Sequence, residues 1–142
     1  SEMCIRDSCL GAAPGVAQRA IDNISAQVGA LNIAGIHDGF FDSAEEQEII
    51  KSIAESKAKL VFVALGVPKQ EQWIAEKLSH LDGVVAIGIG GSFDVLAGNI
   101  PRAPEWMQQN RLEWLYRLYL EPQRIGRMLA IPKFMWTVIR NK

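Results

Sequence analysis

The sequence is poor in the residues that build covalent or metal-held scaffolds. Its 142 residues contain two cysteines, Cys4 and Cys9, and two histidines, His37 and His80. The cysteines form neither a CxxC pair nor a zinc-ligand spacing with the histidines, which argues against a disulfide framework and a dedicated metal site. A reduced compartment is the expectation. A membrane-spanning helix needs about 20 mostly apolar residues, and no stretch of that length is free of Lys, Arg, Asp and Glu. A basic start followed by an apolar core is also missing, so no secretory signal is predicted. No GxxxxGK[ST] string occurs, which excludes a P-loop. With 49% hydrophobic and 22% charged residues, the composition describes one soluble globular domain rather than a disordered or fibrous chain.

A net charge of −1 looks uninformative until the chain is divided. Residues 1–110 carry 8 Lys+Arg against 14 Asp+Glu, a net of −6. Residues 111–142 carry 7 Lys+Arg against Glu113 and Glu121, a net of +5. An acidic body with a basic, aromatic tail points to an anionic partner, or to a tail whose charges are solvated or paired with the body. The opening octapeptide 1–8 has no periodicity and reads as a non-native or disordered leader. The domain is then expected over 9–110 and a basic helical appendage over 111–142.

From Cys9 onward short apolar runs alternate with amphipathic ones. Cys9, Leu10 and Gly11 read as the end of a strand. Pro14 suits the first turn of a helix that places Ala17, Ala20, Ile21, Ile24 and Val28 on one face and stops near Gly29. A short strand follows at 31–36. Ser43 to Glu46 reads as a capping box, opening a helix with Ile49, Ile50 and Ile53 inward. The runs 60–65 and 84–89 are continuously apolar, as in strands buried on both faces of a parallel sheet. Between them a helix over 69–80 buries Trp73, Ile74 and Leu78, with Leu81 beyond it. This β-α-β-α-β-α-β order predicts an α/β, Rossmann-like parallel sheet covered by helices. Ligands bind such sheets at the carboxyl ends of their strands, so the segments 35–41, 66–71 and 88–94 are expected to converge on one cleft.

Each segment offers a motif with a functional and a structural reading. In 88–93 Phe93 replaces the third glycine of GxGxxG, leaving a Gly-rich turn around Gly90 that ends in Asp94, which could also cap a short helix. In 66–71 Gly66 permits an unusual turn, and Lys69, Gln70 and Glu71 occupy a first helical turn whose amides favour an anion. Lys69 suits a phosphate and Gln70 a ring edge or a sugar hydroxyl. His37 and Asp38 offer an acid/base pair but have no nucleophile beside them, and a histidine so placed is more often a hydrogen-bonded loop residue. In the tail, Arg124 and Arg127 share a helix face, and with Arg117 they suit a diphosphate through paired hydrogen bonds. The segment 128–142 fits a membrane interface, with docking on the domain or on another copy in a homo-oligomer left open.

Four strings occur in order: Gly-Val-Pro-Lys-Gln-Glu-Gln-Trp-Ile (66–74), Gly-Gly-Ser-Phe-Asp-Val-Leu-Ala-Gly (90–98), Arg-Ala-Pro-Glu-Trp (102–106) and Leu-Glu-Trp-Leu-Tyr-Arg-Leu (112–118). Together they resemble the WecG/TagA/CpsF family of bacterial glycosyltransferases, from about Cys9 to Arg127. The resemblance implies an inverting, metal-independent transfer that needs no cofactor. It moves N-acetylmannosamine or its uronic acid from a UDP-sugar to undecaprenyl-diphosphate-linked N-acetylglucosamine. The products serve wall teichoic acid, enterobacterial common antigen or a related polymer. The family works peripherally on the cytoplasmic face of the plasma membrane. By position, the resemblance implies a donor pocket with Gln70 and Asp94, and it places Phe40 where the family often has Tyr. It makes Arg117, Arg124 and Arg127 a diphosphate clamp.

Family members also carry a segment ahead of the 9–11 strand end, with a proposed Asp general base. The resemblance therefore implies that this chain is an incomplete copy, and its catalytic residue is unassigned. Two other classes are weighed against it: a non-catalytic nucleotide-sugar- or anion-binding module, and an RNA-binding domain using the Arg/aromatic tail. The four linked motifs count against both classes, and no nucleic-acid partner is expected.

Overall fold

The computed structural model describes residues 6–122, 125–128 and 130–140, with the backbone alone for 127, 128, 130, 131 and 133–135. The chain divides into two units, Ser1–Pro101 and Arg102–Lys142. In the first, β1 (Asp7–Gly11), α1 (Val16–Val28), β2 (Ile33–His37), α2 (Ser43–Glu55) and β3 (Leu60–Ala64) alternate. α3 (Lys69–Trp73) runs into a π-helical turn (Ile74–Leu78), and β4 (Val85–Gly88) and α4 (Ser92–Leu96) follow. The four strands form one parallel sheet in the order β2-β1-β3-β4. The α/β expectation is met.

Residue alternation divides the core between the two faces of the sheet. Cys9 and Ala64 face Val16, Ala17, Ala20 and Ile21 of α1 and Phe93 of α4. Leu10, Val61 and Val63 face Ile49 and Ile53 of α2, together with Trp73 and Leu78. The period of two is what a strand imposes on its side chains. In β2 the register slips between the partners of Asp7 and Ser8, so Ala34 is an extra residue. That bulge lets Ile33 and Ile36 pack toward the same cluster although three positions separate them.

Several sequence expectations need correction. Asp7 and Ser8, assigned to the leader, are the first residues of β1; Cys4 lies outside the described residues. Gly15, at φ 77°, is the N-cap of α1, so Pro14 precedes the helix. Val28 is 69% exposed rather than inward. The capping box of α2 sits one residue earlier than read. The Asp42 carboxylate accepts from the amides of Ala44 and Glu45, and Glu45 accepts from the Asp42 amide. β4 is not buried on both faces: Val85 is 60% and Ile87 43% exposed. It borders the sheet, and Val84 and Ala86 pack on the α2–α3 side.

The second unit holds α5 (Glu105–Gln109), α6 (Glu113–Leu120), α7 (Ile125–Met128) and α8 (Ala130–Arg140). No helix among the described residues is long and apolar enough to cross a membrane.

The carboxyl ends of β1 and β3 approach so closely that one position demands glycine. Gly11 has φ 120°, and a Cβ there would lie 2.4 Å from the Ala64 carbonyl oxygen. Gly66 has φ 77° but open space where its Cβ would be. Gly11→Ala is therefore expected to cost more than about 3 kcal/mol, combining clash and strain. Gly66→Ala should cost only about 1 kcal/mol, the left-handed backbone penalty. Urea unfolding of both variants checks the ranking, and an equal or reversed order contradicts it.

Candidate functional site

The sheet order places a topological switch between β1 and β3. The chain leaves β1 toward β2 on one side and leaves β3 toward β4 on the other, which opens a crevice at their carboxyl ends. Backbone hydrogen bonds tie the loops at its rim. The Ala12 amide donates to the Ala64 carbonyl at 3.0 Å, and the Gly39 amide donates to the Ala12 carbonyl at 2.8 Å. Main-chain bonds thus tie the loops after β1 and β2 to the end of β3.

Beside that crevice Gln70 joins the loop after β3 to the turn after β4. Its side chain is 3% exposed. Oε1 accepts from the Gly90 amide at 3.0 Å, and Nε2 donates to Glu71 Oε1 at 2.7 Å. Gly88 has to be glycine for this to fit, because a Cβ there would lie 2.6 Å from Gln70 Nε2. Gly66 and Gly90 both have positive φ with open space beside them, so neither turn is crowded by side chains. Lys69 is exposed, and its Nζ lies 5.7 Å from the centre of the Phe41 ring, a cation–π contact.

Asp94 occupies the first turn of α4, but Gly91 is the N-cap, so its carboxylate does not cap the helix. It accepts instead from Asn99 Nδ2 at 3.3 Å, and Asn99 Oδ1 accepts from Arg19 at the same distance.

Phe40 stands apart from this group. It is 75% exposed and lines an open cavity of about 660 Å³ with Phe41, His37, Asp38, Glu45 and Glu48. Asp38 accepts from the Phe40 amide at 2.9 Å, an Asx turn that shapes the loop. His37 ends β2, and its Nε2 is buried with no hydrogen-bond partner among the described residues. Gly66, Lys69, Gln70, Gly90 and Asp94 do not line this cavity. The structure thus joins Gln70 to Gly90 directly and leaves Phe40 across the Phe41–Lys69 contact. Cys9 offers no nucleophile: burial, with Asp7 nearby, pushes its thiol up to about 11.

One side-chain cluster behind the site was not legible in the sequence. Glu46 on α2 accepts from the Trp73 indole N–H at 2.8 Å and pairs with Lys77 at 2.9 Å. The Trp73 ring meets Phe41 edge-on, with centroids 6.4 Å apart. The fourfold spacing of Lys69, Trp73 and Lys77 marks one helix stripe, but nothing local names Glu46 as its partner. In the second unit Arg117 lies half-buried on α6. Arg124 falls outside the described residues, as does the side chain of Arg127, so the expected clamp has no described geometry.

Comparison with known proteins completes the description. The Glycosyl transferase WecG/TagA/CpsF family matches residues 5–142. An N-acetylglucosaminyldiphosphoundecaprenol N-acetyl-beta-D-mannosaminyltransferase of Bacillus subtilis is 42% identical over 132 residues, which cover 93% of this chain and 51% of the relative. A like-named protein of Staphylococcus aureus is 38% identical over 106 residues, 75% of this chain and 41% of the relative. The chain spans about half the length of the Bacillus relatives it matches.

The Glu46 pairing carries a pH signature. The hydrogen bond from Lys77, aided by that from Trp73, holds the Glu46 carboxyl below its ordinary value of 4.5. A carboxyl depressed in the fold stabilises the native state above its unfolded value and loses that contribution as pH falls through its folded value. The stability advantage of the native chain over Glu46→Gln is therefore expected to be full above about pH 4.5 and to shrink below it. Chemical unfolding at a series of pH values tests this, and a constant difference contradicts it.

Proposed function

The chain belongs to the WecG/TagA/CpsF family of glycosyl transferases, and from that membership we propose that it is part of a hexosyltransferase acting on a lipid-linked sugar. The donor is a UDP-sugar carrying N-acetylmannosamine or its uronic acid, and the acceptor is undecaprenyl-diphosphate-linked N-acetylglucosamine. The observation that carries this reading is the 42% identity, over nearly the whole chain, to a relative named as an N-acetyl-beta-D-mannosaminyltransferase acting on N-acetylglucosaminyldiphosphoundecaprenol.

The geometry gives the proposal its parts. The donor is assigned to the strand ends, where Gly66, Lys69, Gln70, Gly90 and Asp94 gather around the β3 and β4 loops. Gln70 has both ends of its amide engaged within the protein, so it serves the donor by holding the turn at Gly90. The Phe40 cavity has Asp38, Glu45 and Glu48 along its wall. Three carboxylates repel a diphosphate, whereas the faces of Phe40 and Phe41 suit an uncharged ring, either base or sugar. Inverting transfer builds negative charge on the departing diphosphate, and cations placed there stabilise that charge as it forms. Arg117, Arg124 and Arg127 are assigned to it, in a transfer that needs no metal.

A peripheral position on the cytoplasmic membrane face belongs to the same proposal. Trp136, Val138 and Ile139 of α8 are exposed beside Arg140. An apolar helix surface with basic neighbours suits the headgroup boundary of an anionic bilayer.

A chimera tests the proposal. This chain replaces the matching 132 residues of the Bacillus subtilis relative, and the protein is given UDP-N-acetylmannosamine or its uronic acid with the lipid-diphosphate acceptor. A disaccharide lipid is the expected product. No product from either donor, while the intact relative forms one, would falsify the reading. In the same chimera Arg124→Ala is expected to lower turnover by on the order of 100-fold, as loss of one charge-stabilising donor does, with an unchanged melting temperature.

A further inference from the structure

We propose that Glu46 is a positioning residue of the nucleotide site, setting the loop that carries Phe40 against the helix that carries Lys69 and Gln70. The inference rests on the reading of the chain as UDP-sugar-binding. Glu46 is not among the residues lining the Phe40 cavity, so it acts through other groups. Its Oε1 takes the indole N–H of Trp73, a side chain only 5% exposed, and its Oε2 takes Lys77. Trp73 presents the ring against which Phe41 rests edge-on, and Lys69 lies over Phe41. Phe40 precedes Phe41 directly. On its other side Gly39 is fixed by a main-chain bond to Ala12.

Phe40 is therefore held between one backbone anchor and one side-chain anchor, and Glu46 secures the second. Removing the carboxylate leaves a buried indole N–H unpaired, and rotating the indole to satisfy it shifts the surface beneath Phe41. The capping box at Asp42 and Glu45 fixes where α2 begins. The Glu46–Trp73 bond fixes where that beginning sits against α3. The residue thus joins two loops that belong to different strand ends, and an effect on ligand binding follows without contact.

Calorimetric titration of UDP into the chain tests this, using Glu46→Leu, Glu46→Gln, Phe40→Ala and the double variant Phe40→Ala/Glu46→Leu. Glu46→Leu is expected to raise Kd about tenfold, a typical size for coupling through a packed network. Glu46→Gln, which keeps an acceptor for the indole, should stay within about twofold. In the Phe40→Ala background Glu46→Leu should add nothing. Ile53→Val, which trims the same face of the core, should lower the melting temperature and leave Kd unchanged. Equal losses in both backgrounds, or a matching loss in Ile53→Val, overturn the proposal and leave the nucleotide reading standing. A native chain that does not bind UDP overturns both. If Glu46→Leu does not fold, Trp73→Phe keeps an aromatic face beneath Phe41, removes the indole N–H and carries the same cycle.

Discussion

The closeness of β1 to β3 at their carboxyl ends is the constraint from which the rest of the first unit follows. With no room for a Cβ at Gly11, the next residue can reach across, and the Ala12 amide meets the Ala64 carbonyl. The Ala12 carbonyl then takes Gly39, so main-chain bonds gather three strand ends. The side chains around them are left free for other work. The helices leave this knot toward opposite faces, and the crevice between them is a product of strand order rather than of any one motif.

How much could be read in advance depended on the range of the interaction. Continuous apolar runs at 60–65 and alternating helix faces gave the strand–helix order, because periodicity is local. The α2 cap was displaced by a single residue, since both Asp42 and Ser43 are competent caps and only the fold decides between them. The exposure of Val85 and Ile87 was missed for a different reason. A run such as Val-Val-Ala-Ile does not state whether its strand has neighbours on both sides. At the site, the spacing around Gly66 and Gly90 marked two turns correctly. The bond between Gln70 and Gly90 spans 20 residues and that between Glu46 and Trp73 spans 27, so sequence offered no pointer to either.

The division of charge acquires a physical meaning in this arrangement. An acidic first unit can use aromatic faces and carboxylates for the uncharged parts of a ligand. One of its cations, Lys77, is engaged in holding structure with Glu46. In the proposed reading the cations assigned to phosphate are Lys69 of the first unit and Arg117, Arg124 and Arg127 of the second.

The border strand has a practical consequence for handling the chain. β4 presents exposed valine and isoleucine on a four-residue strand at the edge of a parallel sheet. An edge of this kind is a template on which further strands can add, and apolar side chains increase the gain from doing so. Colloidal stability at high concentration therefore depends in part on Val85 and Ile87, just ahead of the turn at Gly90. A lysine at position 85 or 87 would oppose fibrous or amorphous self-association with little demand on the core, because those side chains already face solvent.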